Sequence, residues 1–338
     1  MLKVLVDLRV DSDGLRRLQN LPDIEVELVD RPEEEAPRAL PEARLADVEV
    51  LGCTFPPSTA ADLRRLRLVQ IASAGYVQLV GLGLVERGVQ SCNALGVFDV
   101  PIAEWNIAMM VNLLRDLRGM IHNQEAGVWD RSLRFQRELR GLTVGLWGYG
   151  GIGRETARLA KALGMRVHVL TRSGVKERAN IYCVPGTGDP EGKLPDRVFG
   201  LEQIAKFLPG LDFLILAMPL TKATEGIVGE PELRGLRPSA FVLNPARGPL
   251  IREDALLRAL RGGWIAGAAL DTHYRYPMLP DHPLWRMPNV IMTPHISGSS
   301  GSPFFLARLW DIFVQNVERL QQNRPLLNEL TPAQLAGE

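Results

Sequence analysis

Charge of one sign is the first thing this 338-residue chain lacks, since Lys plus Arg and Asp plus Glu both number 39. Without a positive excess there is no general electrostatic drive toward nucleic acid. Arginine clusters such as Arg64, Arg65 and Arg67 read as solvated helix faces. Cysteine is scarce too. Cys53, Cys92 and Cys183 are odd in number and lack metal-ligand spacing, which excludes a disulfide framework and argues for a reducing compartment. Cys53 and Cys92 lie in apolar stretches and read as small core residues. No run reaches the roughly 18 apolar residues of a membrane span, and the opening MLKVLVDLRV has no signal-peptide hydrophobic region. A cytoplasmic protein is expected, with no metal, nucleic-acid or membrane partner. Internal repeats and low-complexity tracts are absent as well.

What is present fits two domains, because the length exceeds one ordinary core. Apolar runs at 2–6, 24–28, 48–51, 68–71 and 89–92 read as buried parallel strands. Helix-like stretches lie between them, such as 58–66 with Ser58 at the cap position. Pro and Glu in 31–41 mark an exposed connection. From 101 to 122 the pattern predicts one long helix, a natural hinge and, over its apolar part 102–117, a plausible homodimer contact. Six further strand-like runs follow, at 143–147, 166–170, 212–217, 240–244, 267–271 and 290–293. The stretch 173–200, rich in Gly and Pro, reads as an exposed loop. A last helix, 306–321, is expected to return to the first domain. The predicted class is α/β, with two doubly wound parallel sheets.

The second set of strands opens with Gly148-x-Gly150-x-x-Gly153, placed after a strand and at the start of a helix. The first glycine permits a tight turn, the second a close approach to a pyrophosphate, and the third close helix–strand packing. About 20 residues on, where an acid would bind the ribose hydroxyls of NAD, stand Thr171 and Arg172. Thr removes the carboxylate that would repel a 2′-phosphate, and Arg supplies planar donors for one. NADP is therefore the expected cofactor, ahead of NAD.

Three later segments, NPARGPL, AALDTHYRYP and NVIMTPHISG, together with the glycine turn, resemble the D-2-hydroxyacid dehydrogenase family in order and spacing. The likeness runs from Leu68 to about Pro325 and takes in Ala103-Glu104-Trp105 and Met218-Pro219-Leu220-Thr221. It implies a flavodoxin-like substrate domain, 1–100 with 298–338, and a Rossmann NAD(P)-binding domain, 101–297, with Gly75, Arg247 and His295 at a cleft. It implies hydride transfer between a nicotinamide and a small 2-hydroxy or 2-keto acid, a carboxylate substrate. Arg247 becomes the substrate-binding arginine, His295 the acid/base, and Asp271 the residue at the nicotinamide end. Ala74, Gly75 and Tyr76 match the loop whose amides hold the substrate carboxylate, with Thr54 and Phe55 nearby. Tyr149, Gly151, Ile152, Pro219, Thr224 and Ala246 join the cofactor contacts. Of the other histidines, His122 and His168 read as structural, while His273 and His282 fall in the loop before His295.

One departure stands out. The family usually reads Asp-Val-Phe-Glu-x-Glu-Pro where this chain reads Asp271-Thr272-His273-Tyr274-Arg275-Tyr276-Pro277. Tyr276 thus holds the place of the acid that pairs with the histidine. Formate dehydrogenases carry a neutral Gln there, so oxidation of a small anion such as formate is an alternative, as is a nucleotide-sensing, corepressor-like binding protein.

Overall fold

A computed structural model describes residues 1–30 and 36–337, so part of the connection expected at 31–41 lies outside the described residues. The chain divides into two compact units. One comprises Met1–Phe98, Ala179–Val184 and Ser300–Glu338, the other Asp99–Arg178 and Pro185–Ser299.

The first unit is built on β1 (Leu2–Asp7), β2 (Ile24–Leu28), β3 (Val50–Cys53), β4 (Leu68–Ile71) and β5 (Gln90–Cys92). They form one parallel sheet in the order β2-β1-β3-β4-β5, the flavodoxin-like arrangement. Strands β3 and β4 are buried along their whole length, as in a sheet covered on both faces, and the one polar side chain on them, Gln70, donates to the Ile71 and Asn93 carbonyls. Helix α1 (Ser12–Gln19) starts where the Asp11 carboxylate accepts the Gly14 amide at 2.8 Å. The expected return helix spans Pro303–Gln321 and packs on α1. A Cβ at Gly14 would lie 2.4 Å from Trp310, and one at Gly52 2.7 Å from the Phe313 ring. Both aromatics are fully buried, and truncating either to Ala costs about 3–5 kcal/mol. The helix expected at 58–66 is only a single 3-10 turn, Ala60–Asp62. The chain must already reach the Glu49 carbonyl at Arg67 and Leu68 to begin β4. Burial, then a neighbouring carboxylate (Asp7 or Glu329), pushes the Cys53 and Cys92 thiols far up, so neither is a thiolate.

The second unit holds β6 (Thr143–Trp147), β7 (Arg166–Leu170), β8 (Arg197–Phe199), β9 (Phe213–Leu216), β10 (Phe241–Asn244), β11 (Gly267–Leu270) and β12 (Val290–Met292). All are parallel, in the order β12-β11-β10-β9-β6-β7-β8, the dinucleotide-binding order with one strand added. The order reverses between β6 and β9, so the crevice for a ligand opens at the C-terminal ends of these strands.

Two expectations need correction here. The single helix predicted over 101–122 is broken into α2 (Asp99–Leu114) and α3 (Leu117–Glu125). Asp116 takes a left-handed φ of 46° between them and caps α3 by accepting the Gly119 amide at 3.1 Å. The stretch 173–200, expected as an exposed loop, is irregular as far as Asp196 but is not exposed throughout. It contains β8, and its residues Ala179–Val184 belong to the first unit. There the Tyr182 ring is buried in the core, and the Tyr182 amide donates to Asn328 Oδ1 at 3.0 Å. The Asn328 amide in turn donates to the Asn180 carbonyl.

Among the described residues no helix is long and apolar enough to cross a membrane, and no cluster of His, Cys, Asp and Glu is placed to hold a metal ion.

Candidate active site

The site of the second unit begins at the turn after β6. Gly148 has φ +104°, and a Cβ there would strike the Ala217 carbonyl oxygen at 2.5 Å. A Cβ on Gly153 would meet the Gly148 oxygen at 2.6 Å, so the third glycine is what lets α4 (Gly151–Ala162) start against the strand end. Gly150, the N-cap, is exposed with nothing within 4 Å of its Cβ position. A bare helix N-terminus with an open glycine before it fits a pyrophosphate, and these residues would hold a dinucleotide there. Gly151 packs on the Asp99 carboxylate, and Ile152 beside it is half-buried. Tyr149 is turned away: its ring is buried and its hydroxyl donates to Asp189 at 2.7 Å.

Beyond β7, the Thr171 amide donates to the Phe199 carbonyl of β8 at 3.0 Å. Arg172 follows it exposed, with no ion pair among the described residues. After β9, Pro219 and Thr224 close a turn in which the Thr224 hydroxyl donates to the Pro219 carbonyl at 2.8 Å.

At the end of β10, buried Asn244 receives the Ala246 amide at 3.1 Å and donates to the Arg247 carbonyl at 2.8 Å. That clamp fixes the loop and leaves the Arg247 side chain exposed. Nη1 of Arg247 donates only to the Ala246 carbonyl, at 2.7 Å, and no carboxylate partners it among the described residues. A Cβ on the next residue, Gly248, would lie 2.5 Å from the backbone of His273. The arginine loop and the loop after β11 are therefore pressed together.

Asp271 is fully buried and its carboxylate is saturated from within the unit. It accepts the Thr293 hydroxyl at 2.6 Å, the Ile296 amide at 2.9 Å, the Ser297 amide at 3.0 Å, and the Ser297 hydroxyl. Trp105 of α2 donates to the same Thr293 hydroxyl at 3.2 Å. Four donors on one acid hold the segment that carries His295, which itself has a left-handed φ of 58°. The His295 ring stays exposed. Partial desolvation, then the Arg247 guanidinium, lower its proton affinity below the usual imidazole value, with Asp271 opposing. The same proximity puts Arg247 and His295 in one electrostatic neighbourhood. Tyr276 contacts His295 through its ring, 5.5 Å between centroids, while its hydroxyl accepts the His273 amide at 3.2 Å. His273 is buried and its Nε2 donates to the Thr293 carbonyl at 2.8 Å. Of the remaining histidines, His282 lies 2.6 Å from Glu253, and His122 is a surface residue near Glu125. Composition and spacing gave no hint of Asn244, Thr293 or Ser297, whose roles show only once the loops are folded.

The first unit carries its own loop, 73–78, after β4. The Ser73 hydroxyl donates to the Gly75 carbonyl at 2.7 Å, and Asn93 donates to the Ala74 carbonyl at 2.8 Å. None of the amides of Ala74, Gly75 and Tyr76 donates a hydrogen bond among the described residues, and Gly75 is exposed. Thr54 offers its carbonyl to Gln78 at 3.1 Å, with half-buried Phe55 next to it.

This arrangement can bind a dinucleotide, grip an anion and exchange a proton, and comparison with known proteins gives it a class. Residues 107–297 match the model of the D-isomer specific 2-hydroxyacid dehydrogenase, NAD binding domain. A glyoxylate reductase of Thermococcus gammatolerans is 30% identical over 318 residues, 90% of this chain and 88% of that protein. A D-isomer specific 2-hydroxyacid dehydrogenase family protein of Aeromonas salmonicida has a similar structure, with TM-score 0.77 and 26% identity over 98% of this chain and 99% of that one. A D-isomer specific 2-hydroxyacid dehydrogenase of Xanthobacter autotrophicus, solved with NADPH and MES, gives 0.73 and 25%, covering 98% and 99%. The protein is thus an NAD(P)-binding oxidoreductase that moves a hydride between a nicotinamide and a small 2-hydroxy or 2-keto acid. It belongs to the D-isomer specific 2-hydroxyacid dehydrogenase family.

Proposed function

We propose that the chain interconverts a small 2-keto acid and its 2-hydroxy acid with NADP(H) preferred over NAD(H). The observation that carries this reading is the exposed Arg247 guanidinium, without a carboxylate partner among the described residues, beside a His295 ring of lowered proton affinity. Arg247 grips the substrate carboxylate with one arm and polarises the keto oxygen with the other. Within the first unit, the amides of Ala74, Gly75 and Tyr76, which donate no hydrogen bond among the described residues, are donors for an anion. The nicotinamide, when bound, supplies or accepts the hydride at the carbinol carbon. His295 gives its ring proton to the oxygen in reduction and takes it back in oxidation. Tyr276 packs against that ring, and Asp271 acts through the segment it fixes.

The cofactor preference is supported by exposed Arg172 after Thr171, where no carboxylate opposes a 2′-phosphate. One charge-assisted contact gives NADPH an advantage of about ten-fold or more. The test is reduction of glyoxylate and larger 2-keto acids with each cofactor, read at 340 nm, alongside oxidation of formate. Turnover of keto acids with NADPH, and reversal of the preference by Thr171→Asp, is the expected result. Turnover of formate alone, or equal use of both cofactors, overturns it.

A homodimer formed through the surface of α2 and α3 belongs to the same proposal. Val111, Leu117 and Ile121 are exposed there, and Trp129 and Leu133 follow at 89% and 81% exposure. A monomer by light scattering at micromolar concentration overturns it.

A further inference from the structure

The connection between β7 and β8 is fastened to the glycine turn by the turn's own residues. Beside the Tyr149–Asp189 bond, Arg154 donates to the carbonyls of Tyr149, Asp189, Pro190 and Lys176. Glu155 accepts the Gly188 amide at 2.6 Å. Tyr149, Arg154, Glu155 and Asp189 are all buried. Against the cost of burial, the hydrogen bonds from Tyr149, Leu194 and Lys193 hold the Asp189 carboxyl below the usual carboxylate range. The parts of the connection on either side of Ala179–Val184, anchored this way, are a fixed part of the cofactor unit.

What it delivers is Arg178, the last residue of that unit before the chain crosses into the first. Its amide donates to the Pro190 carbonyl at 3.2 Å, and its half-buried guanidinium lies 3.9 Å from the Asp99 carboxylate. The Asp99 carboxylate, from the start of α2, packs against the first turn of α4, 1.7 Å from where a Gly151 Cβ would be. An acid therefore stands at the helix end that suits a pyrophosphate, and two anions at one helix terminus repel unless a cation lies between them. The Arg178 fork can face a carboxylate and a phosphate at once.

We propose that Arg178 is a phosphate-binding residue for the dinucleotide, held in reach of the glycine turn by Asp99 and by the fastened connection. The inference rests on reading that turn as the cofactor's phosphate site.

The test uses the full-length protein and binding alone. NADPH and NADH are titrated by their fluorescence, and ADP and adenosine are used as competitors, for wild type, Arg178→Met, Arg178→Lys and Asp99→Asn. Arg178→Met should weaken NADPH, NADH and ADP by about ten-fold or more and leave adenosine unchanged, with Arg178→Lys in between. Asp99→Asn, which removes the competing charge, should bind ADP at least as tightly as wild type. Loss of ADP and adenosine affinity in equal measure marks a merely structural role and overturns the proposal. So does Arg178→Met binding ADP like the wild type. A wild type that binds neither nicotinamide cofactor overturns the reading of the turn as well.

Discussion

At its strand ends the first unit leaves backbone open, whereas the second fills the same positions with interlocked groups. After β4 the amides of Ala74, Gly75 and Tyr76 are unused among the described residues, and a Cβ on Gly75 would touch nothing. After β6, β10 and β11 most of the space is taken, the open Gly150 apart: Gly148, Gly153 and Gly248 are each hemmed in by backbone, and Asp271 is saturated. Both sheets are parallel and built of strands feeding helices, so the contrast comes from the residues that follow the strands. An open loop of amides binds whatever anion is offered, while a filled loop fixes side chains in one geometry before substrate arrives. The two sheets share an architecture; the residues that follow their strands decide what chemistry each can support.

The sharpest way to break this contrast is the same small substitution made in both places. Gly148→Ala combines a φ of 104° with a Cβ 2.5 Å from the Ala217 carbonyl oxygen. Its expected result is a melting temperature lower by several degrees and NADPH binding weakened about ten-fold or more. Gly75→Ala should leave melting and cofactor binding unchanged, since its added carbon meets no atom within 4 Å. Only the KM for the keto acid should rise, by roughly several-fold, if the amides around Gly75 bind a carboxylate as the family resemblance implies. Equal thermal penalties at the two glycines, measured by calorimetry, would erase the distinction.

The smallest effect expected is one of pH. Partial burial and Arg247 lower the proton affinity of His295, so its imidazolium form is present only at acid pH and is lost as pH rises. Reduction needs that form, so its kcat/KM should fall at a pH below the ordinary imidazole value of about 6.5. Oxidation needs the neutral ring and should persist at neutral pH. Tyr276→Glu puts a carboxylate where a ring now lies 5.5 Å from the His295 ring, centroid to centroid. The falling limb of reduction should then move up by about a pH unit or more. Superimposable profiles would uncouple position 276 from the histidine.

Much of the fold was legible because parallel strands write themselves as short apolar runs or, at the half-exposed edge strand β2, as alternation. Those at 24–28, 68–71, 143–147 and 166–170 match the observed strands residue for residue. Strand β8 escaped because Arg197 and Val198 lie exposed at the sheet edge, with no apolar run to mark them. The break at Asp116 escaped because Leu113, Leu117 and Ile121 keep helical spacing straight through it. Tyr182 was hidden by its neighbours: a stretch rich in Gly and Pro looks like a surface loop, and one buried ring does not change its composition. At the site, the glycine turn, Arg247 and His295 could be named because motif order identifies them. The clamps on them, Asn244 on the arginine loop and Asp271 on the histidine segment, depend on contacts between loops distant in sequence.

The three-part make-up of the first unit sets an order of completion during synthesis. Residues 1–98 leave the ribosome first, yet the apolar face holding Val4, Val6 and Val50 is covered by Trp310, Phe313 and Val317. Asn316, which donates to the Gln70 side chain at 2.8 Å, is made equally late. The second unit has all its residues once Ser299 is joined. The portion translated first is therefore finished second, and its bare sheet face must stay out of wrong contacts for the roughly ten seconds or more that some 200 intervening residues take to be added.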